Sequence, residues 1–247
     1  MPDSARFTLS RLVSGVLRFA WDIAAPTRCR ACGASLFGMS NAYLCAGCLA
    51  RVQWIGKAAC RGCGFPLGPH GRSRDNCGRC RGLNLPLASA FAVARYREGA
   101  RDLVISLKFR WETELAAPMA ELMVARLRAA GVPDLDAVLP VPLHPSRIRE
   151  RGYNQSAFLA DAVAKRLGLP TDHKALFRVR RTAPQALLGR ADRQENIKDA
   201  FRANADLSGR RVLIVDDVMT TGATMGECAR TCRQAGATRV HALAFAR

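Results

Sequence analysis

The chain has 247 residues, 49% hydrophobic and 23% charged, which excludes an intrinsically disordered polymer and leaves room for a medium domain plus a small one. Its 38 Lys and Arg against 20 Asp and Glu give a net charge of +18, with 12 basic and 3 acidic residues before Ala90 and 26 and 17 from there on. That surplus favours a polyanion such as nucleic acid, or a phosphorylated small molecule, although arginine scattered this widely also follows from genomic base composition alone.

Residues 1–27 read as an amphipathic helix. Leu9, Leu12, Val13, Val16, Leu17, Ala20 and Ile23 share one helical stripe, while Arg11, Arg18 and Asp22 interrupt the apolar run that an export signal needs. Docking on the body is the first reading of that stripe and a membrane surface the second. No stretch has the apolar length of a membrane span, so a soluble, cytoplasmic protein is expected.

Residues 28–85 hold four Cys-x-x-Cys pairs: Cys29/Cys32, Cys45/Cys48, Cys60/Cys63 and Cys77/Cys80. Two thiolates in one tight turn grip one side of a tetrahedral metal and a second pair closes the other, so four pairs make two complete sites. Disulfides would need export, which nothing here supports, so two structural zinc ions are expected. Sequential pairing closes the shortest loops, with an interleaved set left open. His70 is an alternative ligand that four thiolates make unnecessary. Cys228 and Cys232, four apart on a helix, read as small buried hydrophobes.

Residues 86–247 form the larger module. Phe91 to Tyr96 reads as a strand, followed by helices from about Gly99 to Leu107 and from Glu112 to Ala130, the latter ending at Gly131 and Pro133. Asp136 to Leu143 is a short apolar strand entering a basic loop, His144 to Asn154. A helix from about Gln155 to Leu167 follows, with Asn154 as its cap. Lys174 to Val179 is strand-like, Arg180 to Ala200 lacks a clean period, and the chain closes with a strand Arg211–Val215, a helix Thr224–Ala235 and a strand Arg239–Phe245. This alternation predicts an α/β fold, a parallel sheet with helices on its faces.

In such sheets ligands bind beyond the carboxyl ends of the strands, where Asp216 and Asp217 stand. The loop after them enters a helix, and its backbone N–H groups, the hydroxyls of Thr220, Thr221 and Thr224 and the positive helix end all favour a phosphate. Gly222 permits close approach. Carboxylates repel phosphate but accept hydrogen bonds from sugar hydroxyls, so a phosphate with a vicinal diol nearby satisfies both halves: a ribose 5-phosphate. No Walker loop, dinucleotide fingerprint or HExxH is present.

Val212 to Thr224 resembles the phosphoribosyl pyrophosphate (PRPP) signature of type I phosphoribosyltransferases. Together with Leu139 to Gln155, Arg181 to Leu188, Asn196, Phe201 and the upstream cysteine pairs, the chain resembles the ComF/GntX competence-protein family over nearly its whole length. The resemblance implies a double zinc ribbon followed by a type I phosphoribosyltransferase domain, and a part in DNA uptake and natural transformation. It implies that Asp216 and Asp217 hold the ribose hydroxyls, and that Thr220, Thr221, Gly222, Ala223 and Thr224 cradle the 5-phosphate. His144, Ser146, Arg147, Arg149 and Arg151 take the place of the pyrophosphate loop, and Arg181 and Gln185 that of a mobile loop, with Mg²⁺ arriving on PRPP. A solvated basic surface is the competing account of the arginines. Single-stranded DNA and other DNA-uptake proteins are the expected partners. No side chain stands out as a general base, and the acceptor stays open, as does turnover itself.

Overall fold

The computed structural model describes residues 28–36, 43–68, 77–78, 80, 85–131, 134–182 and 189–247. The expected amphipathic N-terminal helix, His70, Pro133 and Gln185 lie outside them. The chain divides into two compact units, Met1–Val52 and Gln53–Arg247. The boundary falls inside the 28–85 stretch that cysteine spacing groups together, so the second cysteine set shares a unit with the sheet.

In the first unit Arg28 bridges Ser35 around the Cys29/Cys32 turn. The helix α1, Ala46–Ala50, then starts on Cys45, whose sulfur accepts the Cys48 N–H at 3.4 Å.

In the second unit the elements follow as β1 Ser89–Ala94, α2 Glu98–Phe109, a 3₁₀ turn Thr113–Leu115, α3 Ala116–Ala129, β2 Ala137–Pro140, α4 Pro145–Arg151, α5 Gln155–Leu167, β3 Leu176–Arg178, α6 Arg190–Ile197, β4 Phe201–Ala203, β5 Arg211–Val218, α7 Ala223–Gln234 and β6 Arg239–Ala246. Four strands form one parallel sheet in the order β1-β6-β5-β2. Val212 to Val215 are fully buried, as a central parallel strand covered on both faces requires. Helices α3 and α5 pack together on one face, and α7 packs against β5 and β6 and the small β3–β4 pair. The free edge of β1 is covered by the chain around Trp54, which bridges Ala94, with Ile55 N–H donating to the Val93 carbonyl at 2.8 Å.

Four local expectations change. The basic stretch after β2 is a helix, α4, because His144 caps it, Pro145 opens it and Gly152 ends it at φ 86°. Asp216 and Asp217 lie inside β5, which continues to Val218 because β6 keeps pairing through Ala246. Leu176–Arg178 pairs antiparallel with Phe201–Ala203 outside the main sheet. The aperiodic segment contains α6, a polar helix that rests on α7. Among the described residues no helix is long and apolar enough to cross a membrane.

Candidate functional site

Side chains alternate along a strand, so Asp217 continues the face of Leu213 and Val215 toward α5. It is 1% exposed, yet both its oxygens are engaged. Oδ2 accepts from the Lys108 ammonium at 2.7 Å, and Oδ1 from Gln155 Nε2 at 3.3 Å. Asp216 is half-buried, and its Oδ1 accepts from Ser156 Oγ at 2.6 Å and from the Asp217 backbone N–H at 2.9 Å. The start of α5 therefore braces both carboxylates, and Asn154 fixes that start by accepting the Ser156 N–H and donating to the Val141 carbonyl.

The two carboxyls titrate in opposite directions. Burial and then the neighbouring Asp217 charge push Asp216 up to about 8. Burial also opposes ionisation of Asp217, but the Lys108 ammonium outweighs it and Asp217 falls below the usual carboxylate value. Asp216 thus binds a proton in the folded state over a range where the unfolded chain has released it. Its contribution to stability is complete below about pH 4 and is lost as pH rises to about 8. Asp217 runs the other way and loses its contribution only in acid. Asp216→Asn is expected to flatten the decline of stability between pH 5 and 8, and to raise unfolding free energy at pH 8.5 by about 2 kcal/mol, discounted because the carboxyl keeps some solvent. Denaturant unfolding across that range checks it; an unchanged slope contradicts the assignment.

Beyond Asp217 the chain turns into α7. Thr220 is exposed, Thr221 Oγ1 accepts the Ala223 N–H at 3.3 Å, and Gly222 sits at φ 90° as the helix N-cap. Only glycine takes that conformation readily, and a Cβ there would also crowd Leu85 at 3.2 Å. The first turn of α7 carries no acidic side chain to neutralise its positive end. Thr220 and Thr221 line a cavity of about 360 Å³ with Tyr96, Arg97 and Arg247.

The residues of α4 are brought partly into this network. Arg151 donates to Gln155 Oε1 at 2.6 Å and so reaches Asp217 through one side chain. His144 is occupied with Ser146, accepting its N–H at 3.2 Å, while Arg147 and Arg181 both hold Glu150 at 3.0 Å. Arg149 is exposed. Lys108, Gln155 and Ser156 were not legible as site residues.

Cys29, Cys32, Cys45 and Cys48 form one cluster and Cys60, Cys63, Cys77 and Cys80 the other, the sulfurs of each within 4.8 Å of one another. Sulfur–sulfur separations of 3.7 Å for Cys32–Cys45, 3.6 Å for Cys60–Cys80 and 3.6 Å for Cys63–Cys77 match the edge of about 3.8 Å expected of a tetrahedron with zinc–sulfur bonds of about 2.3 Å. The pairing is sequential, and both sets fit a zinc ion. An arginine accompanies each: Arg51 donates to Cys48 Sγ at 3.0 Å, and Arg247 lies in the field of the second set. Cys228 and Cys232 are wholly buried in the core under α7.

Comparison with known proteins agrees with both modules. Residues 20–81 match the double zinc ribbon domain and residues 154–247 the phosphoribosyl transferase domain. The DNA utilization protein YhgH of Salmonella typhi is 35% identical over 219 residues, 87% of this chain and 94% of that protein. The chain belongs to the ComF/GntX competence-protein family. YhgH of Escherichia coli K12 is 34% identical over 80% of this chain and 87% of its own length, and competence protein F of Haemophilus influenzae is 29% identical over 89% and 96%. Among solved structures, a glutamine PRPP amidotransferase from B. subtilis complexed with ADP and GMP aligns with a TM-score of 0.38 at 20% identity, over 56% of this chain and 30% of that one. The expected fold class, a parallel-sheet phosphoribosyltransferase fold with an N-terminal zinc-ribbon module, is the one observed.

Proposed function

We propose that this ComF-family member binds PRPP with Mg²⁺ at Asp216, Asp217 and the Thr220–Thr224 loop, and that it serves DNA uptake or utilization in the cytoplasm by holding single-stranded DNA. The observation that carries the reading is the pair of carboxylates at the carboxyl end of β5 with an unneutralised helix start directly after it. Asp216 accepts a ribose hydroxyl on its free oxygen. The phosphate meets the Thr220 and Thr221 hydroxyls and the α7 backbone, and the pyrophosphate meets the α4 side, where His144, Ser146, Arg147, Arg149 and Arg151 lie. Arg181, which shares Glu150 with Arg147, stands on the same side. The Mg²⁺ would be held mostly by ligand oxygens. For DNA the support is the +18 charge and the names of the relatives.

A thermal titration tests the PRPP site. At PRPP and Mg²⁺ near a hundred times Kd the gain is about 2.7 kcal/mol, or about 5–10 °C in a chain of this size. The Asp216→Asn/Asp217→Asn protein should show no such rise. A wild-type protein that does not shift with millimolar PRPP removes the proposal.

A second reading, active transfer of phosphoribose in nucleotide-related metabolism, is favoured by the domain match over 154–247. There the C1–pyrophosphate bond breaks with its electron pair leaving on pyrophosphate while the acceptor bonds to C1. Acceptor-dependent pyrophosphate release separates it from binding alone.

A further inference from the structure

Phe109 and Trp111 are the most exposed large hydrophobic side chains among the described residues, at 62% and 65%. Exposure of two large rings one residue apart contributes nothing to folding, and the backbone accommodates it at a cost, with Trp111 at φ 60°, a region bulky residues rarely enter. The rings are nevertheless held. Trp111 lies against Tyr153 at 4.9 Å between centroids, and Tyr153 is pinned by its hydroxyl donating to the Leu107 carbonyl at 2.5 Å. Tyr153 in turn meets the edge of Phe158, which is 40% exposed, at 5.8 Å. Gly152 makes the room: a Cβ there would stand 2.1 Å from the Trp111 indole. Arg151 stacks its guanidinium 4.9 Å from the Phe109 ring.

The surroundings are cationic. Lys108 is paired with Asp217, but Arg110, Arg147, Arg149 and Arg151 stand against only Glu112 and Glu150 in segments 108–112 and 144–151, and Arg147 and Arg181 already engage Glu150. The rings line one cavity of about 210 Å³ with Lys108, Arg147, Arg151 and the arginine-paired Glu150. An apolar patch alone would suit a protein or lipid. Rigid aromatic faces interleaved with arginines suit a strand whose bases are unpaired and whose backbone is anionic.

We propose that Phe109 and Trp111 form a base-stacking platform for single-stranded DNA, with Arg110 between them meeting the phosphates. This rests on the DNA reading above and assigns it a surface that cysteine spacing and overall charge did not indicate.

The test uses the full chain and a labelled 20-nucleotide oligo(dT). The wild type should bind with steep salt dependence, discriminate against duplex DNA and show quenched tryptophan fluorescence. Phe109→Ala and Trp111→Ala should each weaken binding about tenfold or more, and Trp111→Ala should remove most of the quenching although Trp21 and Trp54 remain. Phe109→Leu/Trp111→Leu, which keeps apolar bulk without an aromatic face, should lose as much, with the unliganded thermal midpoint as the folding control. Arg110→Gln should lower the salt slope by about one. If the wild type binds and the alanine and leucine variants bind equally well, the platform is wrong while the DNA reading stands. If the wild type shows no salt-dependent binding, both fall. A change of oligomeric state in the double variant, seen by sedimentation, would instead make the rings a contact with a second copy and overturn the proposal.

Discussion

Lys108→Met is expected to destabilise the protein by about 3–5 kcal/mol at pH 8, because it leaves the Asp217 carboxylate buried with only Gln155 to satisfy it. The deficit should depend on pH, with a sign that follows from linkage. In the wild type the ammonium holds Asp217 below its ordinary value, so Asp217 stays ionised at neutral pH without penalty. Without it, burial dominates and the Asp217 pKa rises above the unfolded value. The variant then binds a proton on folding, and its stability falls as pH rises and recovers toward pH 5. Guanidinium unfolding of wild type and variant at both pH values checks this, and an equal loss at pH 5 and pH 8 would count against the buried-charge account. Lys108→Met/Asp217→Asn should regain much of the loss, since no unpaired charge remains, and the non-additivity measures the coupling. PRPP should bind the double variant poorly, so stability and ligand binding separate.

The second large effect lies in the cysteine set of Gln53–Arg247. Cys60, Cys63, Cys77 and Cys80 are buried, and among the described residues the hydrophobic side chains packed on them are few: Phe65, Leu67 and Leu85. So small a cluster needs a staple, and zinc supplies it. Cys63→Ser should reduce bound zinc from two ions per chain to one and cost on the order of 4 kcal/mol, a part of the 10–16 kcal/mol of structural zinc binding. Burial pushes the metal-free Cys63 thiol up, so zinc must displace protons and the stability lost on chelation should shrink as pH falls. Zinc released after thiol modification, counted with a chromophoric chelator, gives the stoichiometry. Hydrogen exchange should show lost protection at Ile55 and Ala90, whose N–H groups bond the Val93 and Arg61 carbonyls along the β1 edge. Two ions retained by Cys63→Ser would overturn it.

Much of the candidate site was legible because its parts are consecutive. Val212–Val215 marks a central strand by being apolar throughout, the aspartates follow at once, and Thr220–Thr224 marks the start of a helix. The zinc ligands were legible for the same reason, since each pair closes within one turn and the gaps between pairs are short. Elements were misread where a cap outweighed composition. The His144–Asn154 stretch looks like a loop because of its proline, glycine and charges, yet the His144 ring on the Ser146 N–H and the left-handed Gly152 turn these into the two ends of α4. The polar α6 gave no periodic signal because it buries so little.

Consecutive residues thus determined by themselves the parallel α/β class, the two four-cysteine sets and the run of two carboxylates and a threonine-glycine loop at the end of β5, because each depends on bonds and turns a few residues long. Tertiary structure alone decided which carboxyl keeps its charge. Lys108 reaches Asp217 across 109 residues, Gln155 across 62, and Ser156 reaches Asp216 across 60. Those partners meet because α5 must bury its apolar face on β2 and β5, which carries Gln155 and Ser156 onto the end of β5, and because α2 ends with Lys108 at the same edge. Two like charges side by side in a chain are equivalent, and only the unequal surroundings that packing supplies, an ammonium on one and a hydroxyl on the other, make them different acids.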